Sequence, residues 1–131
     1  MEDINNKNFL ITGGAGFIGG HIAEYLLKNG AKKVRVLDNM VNGSQATLSI
    51  LRKHTAFEFI EGDIRNGETC NSACKDIDYV SHQAALGSVP RSMKEPAYFS
   101  EVNISGFVNI LKAASDNKVK QLVYALSLIH I

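Results

Sequence analysis

Three glycines at three-residue spacing, Gly13, Gly16 and Gly19, fall within the run Thr12-Gly-Gly-Ala-Gly-Phe-Ile-Gly19. Glycines so placed suit one task, which is to bring bare backbone N–H groups against phosphate oxygens. Gly13 would turn the chain sharply, Gly16 would let backbone approach a pyrophosphate, and Gly19 would let a following helix pack close to a sheet. The overlapping Gly14-x-Gly16-x-x-Gly19 also satisfies the spacing of dinucleotide sites. Asp38 stands 25 residues beyond Gly13. A carboxylate there can accept hydrogen bonds from both ribose hydroxyls and repel a 2′-phosphate, which favours NAD over NADP. The alternative is a turn that serves packing alone, with Asp38 an ordinary strand-end residue.

These residues need a strand before the glycines and a helix after them. Asn8 to Thr12 is a short apolar run that reads as a buried parallel strand. From Phe17, the positions Ile18, Ile22, Leu26 and Ala23, Leu27 recur every four residues, and Gly30 stands where a left-handed helix cap is needed. Lys33 to Asp38 reads as strand two, and Phe57 to Glu61 as strand three. Between them Ser44 can cap a helix running to about Lys53. Tyr79 to His82 makes strand four, a loop holds Pro90 and Pro96, and a long helix covers roughly Tyr98 to Asp116 with Val102, Gly106, Ile110, Ala113 and Ala114 inward. Gln121 to Ala125 is strand five. The alternation implies an α/β fold with a doubly wound parallel sheet, ordered 3-2-1-4-5 through right-handed crossovers.

With 131 residues, 45% of them apolar, the chain can bury one core. A formal net charge of +1 without a basic block argues against a nucleic-acid partner. Apolar runs of four or five residues are far below the roughly 20 needed to span a bilayer, and the N-terminus lacks a signal layout, so a cytoplasmic protein without membrane contact is expected. Cys70 and Cys74 fit neither a redox Cys-x-x-Cys nor a zinc site, and no metal is expected. His21, His54 and His82 read as structural or solvent-facing.

Four motifs in order, Thr12 to Gly19, Leu37-Asp38-Asn39, Glu61-Gly-Asp63-Ile64-Arg65 and His82-Gln-Ala-Ala85, resemble the extended short-chain dehydrogenase/reductases, specifically the NAD-dependent nucleotide-sugar epimerases and dehydratases. The resemblance runs from about Phe9 to Ala125 and implies a Rossmann-type domain over residues 1–125. It implies NAD contacts from Phe17 and Ile18 along the pyrophosphate, from Asp38 and Asn39 at the ribose, and from Asp63 and Ile64 at the adenine. Gln83, Ala84, Ala85 and Leu86 would line the nicotinamide side, with Asn103 helping to hold that end. Turn capping by Asp63 and a satisfied helix polar group at Asn103 are the alternatives. The stretch Ala85 to Ser92 resembles the loop of epimerases that interconvert UDP-N-acetylated hexosamines or their uronic acids. There Gly87 and Ser88 would make room for, and bond to, an acetamido group. Arg91 could pair with a phosphate or carboxylate; a plain solvent loop is the alternative.

Family enzymes use a Tyr-x-x-x-Lys pair for proton transfer. Four residues after Tyr25, Tyr79, Tyr98 and Tyr124 stand Asn29, Gln83, Val102 and Leu128, so the pair is absent from this chain. Ser127 aligns with the serine that would bond the sugar, but the closing Leu126-Ser-Leu-Ile-His-Ile131 looks like translated adapter sequence. Residues 126–131 are therefore expected to be a non-native tail, and the chain a fragment ending after strand five that covers about the first half of a homodimeric enzyme for a UDP-sugar. Two rivals stand beside a 4-epimerase: a dehydratase or reductase of the same family, and a non-catalytic NAD-sensing module.

Overall fold

The computed structural model describes residues 4–126. Five strands, β1 (Asn8–Thr12), β2 (Lys33–Asp38), β3 (Phe57–Glu61), β4 (Tyr79–His82) and β5 (Gln121–Tyr124), form one parallel sheet in the order 3-2-1-4-5. The expected doubly wound order is the one found. Strand β1 is central, with Leu10 opposite Arg35 on one side and Val80 on the other. Because both sheet faces are covered, its residues are apolar in succession instead of alternating. Phe9 and Ile11 pack with Ala23, Leu26 and Leu27 of helix α1 (Phe17–Lys28) and with Leu51 of α2 (Gln45–Leu51). Leu10 and Val80 pack on the opposite face with Cys70 and Ala73 of α3 (Gly67–Ala73) and Ile110 of α6 (Gly106–Asp116).

Helix α2 begins where Ser44 accepts a hydrogen bond from the Thr47 amide, and it ends at Leu51, two residues short of the expected Lys53. Gly30 takes φ +90°, as the expected left-handed position requires. Ile18 differs from expectation. It sits in the first turn of α1, before the helix reaches the sheet, and is 42% exposed.

Two helices were not expected. Asn66 caps α3 by accepting from the Thr69 amide. Ser88 caps α4 (Val89–Lys94), with Pro90 in its first turn; α5 (Pro96–Ser100) starts on Pro96. Proline is tolerated at both positions because the first turn needs no N–H from it. The expected long helix is present but interrupted. A π turn, Glu101–Ser105, joins α5 to α6. Val102, Gly106, Ile110, Ala113 and Ala114 all face inward as expected. Strand β5 lies at the sheet edge and ends at Tyr124, one residue before the expected Ala125. Among the described residues no helix is long and apolar enough to cross a membrane.

Candidate functional site

A parallel sheet points every strand's C-terminal end the same way, and the loops leaving β1, β2, β3 and β4 meet there in one cleft. It is lined by Gly13 and Gly16 from the first loop and by Asp38 and Asn39 from the second. Asp63 and Ile64 come from the third, and Gln83, Ala84, Ala85 and Leu86 from the fourth. Ten of the fourteen residues expected at a cofactor thus line one cavity. Leu37, Val41, Asn42, Gly62 and Val102 complete its wall. The sequence reading did not place these five at the site, although Val41 and Asn42 stand only three and four residues after Asp38 and their position was a usable signal.

The glycine turn is tied down at both ends. The Gly13 amide donates to Leu37 O at 2.8 Å, and the Gly16 amide to Gly13 O at 3.1 Å. Gly13 has φ +70°, and a Cβ there would lie 2.8 Å from the Ala84 nitrogen, so only glycine fits. A Cβ on Gly19 would collide with Gly13 O. Gly16 is different: its added Cβ would meet only Gly13 O, at 3.3 Å, with open space beyond. The first amides of α1 have no helix carbonyl to bind. Phe17 is 81% exposed, its ring edge-on to His21. An anion could therefore settle on this end, where the helix dipole favours it.

Asp38 bridges two loops. Its Oδ2 accepts from the Ala15 amide at 3.0 Å and its Oδ1 from the Met40 amide at 2.9 Å. A carboxylate offers about four lone-pair sites, so one on each oxygen stays available for a vicinal diol. Asp63 is more heavily engaged. It accepts from the Arg65 backbone amide at 2.8 Å and from the Arg65 guanidinium at 2.8 and 3.1 Å, and Arg65 reaches on to Glu101 at 3.2 Å. Hydrogen bonding from Arg65 holds the Asp63 carboxyl below its ordinary range, against the opposing effect of burial. Turn capping by Asp63 is thus present, within the wall of the cleft.

Asn103, on the π turn, grips the fourth loop. Its Oδ1 accepts from the Leu86 amide at 2.8 Å and its Nδ2 donates to Leu86 O at 3.0 Å. It does not line the main cleft but a second hollow beside it, shared with His82, Gln83, Ala84, Ala85, Phe107 and Tyr124. Gly87, Ser88 and Arg91 lie outside both. Ser88 Oγ caps α4 through the Arg91 amide, and Arg91 pairs with Glu95 at 2.8 Å and lies over the rings of Tyr98 and Phe99. Ser127 lies outside the described residues. Among those residues, no group of three His, Cys, Asp or Glu side chains could hold a metal ion.

The model of the NAD dependent epimerase/dehydratase family matches residues 9–129. The chain belongs to that family. Among the relatives of this epimerase/dehydratase chain, the UDP-glucose 4-epimerase of Streptococcus mutans is 34% identical over 119 residues, or 88% of this chain and 34% of that protein. The solved UDP-N-acetylglucosamine 4-epimerase of Methanobrevibacter ruminantium, in complex with UDP-N-acetylmuramic acid, superposes with a TM-score of 0.85 at 34% identity, over 95% of this chain and 39% of that one. The dTDP-glucose 4,6-dehydratase of Streptomyces venezuelae, solved with NAD bound, gives 0.82 at 33% identity, over 88% and 38%. The chain therefore spans 34% to 39% of the length of these family members, less than the expected half.

Proposed function

We propose that this chain is the NAD-binding portion of a nucleotide-sugar 4-epimerase acting on UDP-N-acetylhexosamines. The observation that carries the cofactor part is Asp38, whose carboxylate is fixed by the Ala15 and Met40 amides with acceptor capacity left on both oxygens. It would take the ribose hydroxyls of NAD, and its charge would exclude a 2′-phosphate. Gly16 and the first turn of α1 would receive the pyrophosphate, with Phe17, Ile18 and Gly19 along it. Asn39 would flank the ribose, and Asp63 and Ile64 the adenine. Gln83, Ala84, Ala85 and Leu86 would wall the nicotinamide side, with Asn103 holding the Leu86 backbone.

Bound NAD supplies a reversible hydride acceptor, so a sugar carbon can be oxidised and then reduced on its other face with the cofactor regenerated in place. The proton transfers belong to a Tyr-x-x-x-Lys pair that these 131 residues lack. The chain alone should therefore bind cofactor without converting sugar. The substrate reading rests on the likeness of Ala85 to Ser92 to the N-acetylhexosamine loop and on the structural likeness to the Methanobrevibacter UDP-N-acetylglucosamine 4-epimerase. Gly87, Ser88 and Arg91 would meet the sugar. The Streptomyces neighbour favours a second reading, a sugar-nucleotide dehydratase. Homodimerisation of the complete enzyme and a cytoplasmic location belong to the same proposal.

Calorimetric titration of the 131-residue chain with NAD and NADP tests it. Binding of NAD in preference to NADP, lost in Asp38→Ala, is the expected result. A folded chain that binds neither would overturn the cofactor assignment.

A further inference from the structure

His82, expected to be structural or solvent-facing, ends β4 directly beneath the fourth loop and is buried, with 7% of the residue exposed. Its Nδ1 lies 2.7 Å from Thr12 Oγ1 across the β1–β4 pairing. That hydroxyl is already committed. It accepts from the Ala84 amide at 3.1 Å and from the Gln83 amide at 3.1 Å, the latter shared with Thr12 O at 3.1 Å. A threonine hydroxyl has two lone pairs and one hydrogen. With both lone pairs facing amides, the hydrogen must go to Nδ1. The imidazole is then an acceptor at Nδ1 and carries its own hydrogen on Nε2. The opposite tautomer would aim three donors at two lone pairs and leave the Thr12 hydrogen buried without an acceptor.

We propose that His82 is a positioning residue: by taking the Thr12 proton at Nδ1, it locks the Thr12 oxygen as the double acceptor that holds the Gln83–Ala84 backbone against the glycine turn. The contact it maintains is tight, since Ala84 N lies 2.8 Å from where a Gly13 Cβ would stand. Gln83 and Ala84 also wall both the main cleft and the hollow beside it. The ring itself is clamped by Phe107 of α6, stacked at 5.4 Å with 21° between planes, and Tyr124 of β5 lies against Phe107 at 4.8 Å. Burial lowers the imidazole's basicity to a pKa of about 4, which agrees with a ring that stays neutral. A core histidine held only by packing would need no particular nitrogen, and that difference is measurable. The binding arm of the test rests on the NAD reading above; the tautomer arm does not.

Two-bond 1H–15N correlation spectra of the full chain report the tautomer directly. The expected pattern is a bare Nδ1 and a protonated Nε2 that persist at about pH 5.5, where an ordinary histidine is largely charged. A proton on Nδ1, or titration near the ordinary value, would overturn the proposal. Three variants then separate positioning from packing. In His82→Asn the amide oxygen takes the place of Nδ1, in His82→Gln it does not, and His82→Phe keeps the stack on Phe107 without an acceptor. Near-normal NAD affinity for Asn, with about tenfold weaker binding for Gln and Phe, is the expected split, the order of one hydrogen bond. Equal affinity in all three variants would overturn it, and if Phe does not fold, Gln against Asn still decides. A bare Nδ1 in a wild-type chain that binds no NAD would support the hydrogen-bond assignment and sink the cofactor reading instead.

Discussion

Gly16 and Gly19 stand one helical turn apart, yet a methyl group would affect them differently. At Gly19 it strikes the Gly13 carbonyl, whereas at Gly16, an extended residue with φ −84°, it meets only that same oxygen at 3.3 Å and otherwise projects into open space. Gly19→Ala should therefore lower the melting temperature by several degrees. Gly16→Ala should leave melting nearly unchanged while weakening NAD binding at least tenfold in a parallel titration. Equal effects of the two on stability would contradict the division of labour. His82 gives a second expectation at this scale. Its pKa falls from 6.5 to about 4 in the folded chain. Between those values the unfolded chain binds a proton that the folded chain refuses, so stability must fall as pH drops through that window, by up to roughly 3 kcal/mol. Urea unfolding from pH 7 to pH 4 should show this acid limb, and His82→Asn should flatten it. The glycines and Asp38 were legible because their chemistry is written in residue type and short spacing. The Thr12–His82 pair was not, since its partners are 70 residues apart and only strand pairing brings them together. The local partners of Ser88 and Arg91, the Arg91 amide and Glu95, were likewise not read from the sequence.

Strands announce themselves more plainly than short helices in this chain. β1 to β4 carry the bounds read from the sequence: β1 and β2 show as apolar runs because most of their residues are buried, and β3 as the alternation Phe57-Glu-Phe-Ile-Glu61. α3 has seven residues, Gly67-Glu-Thr-Cys-Asn-Ser-Ala73, with only Cys70 and Ala73 buried, too few to display a period. α4 was hidden by Pro90, which reads as a breaker unless its first-turn position is known. The π turn, too, leaves no mark in the sequence, but the structure gives it a load to carry. Asn103 on it holds Leu86, and Gly106 just after it lies against Ile64, whose Cδ1 is 2.5 Å from where a Cβ would stand. Gly106→Ala should destabilise the chain by about 1–3 kcal/mol through overpacking. Ile64→Ala, which removes both that Cδ1 and the Cγ1 at 2.6 Å, should cost less in the Gly106→Ala background than alone. Chemical denaturation of the single and double variants measures the coupling, and strictly additive effects would refute the contact.

At the scale of the molecule, the two faces of the sheet are unequally protected. On the α1 side Phe9, Ile22, Tyr25, Tyr79 and Val123 surround an open apolar hollow beside the edge strand β5. Val123 is 53% exposed there. An unpaired edge next to uncovered apolar side chains favours self-association, and a lysine on that edge opposes it. Val123→Lys should raise the concentration at which light scattering first detects oligomers, with little change in melting temperature. Unchanged scattering would show that association proceeds by another surface.

Asp38 joins two properties that protein engineers usually treat as separable. The carboxylate suited to distinguish one dinucleotide from another is also the acceptor that fastens the Ala15 and Met40 amides. Exchanging it for a small or basic residue to admit a 2′-phosphate would release both amides and slacken the neighbouring turn. A redesign toward the phosphorylated cofactor must therefore supply replacement acceptors for those two N–H groups along with the new charge. Changing coenzyme in this protein is a task of at least two coordinated substitutions.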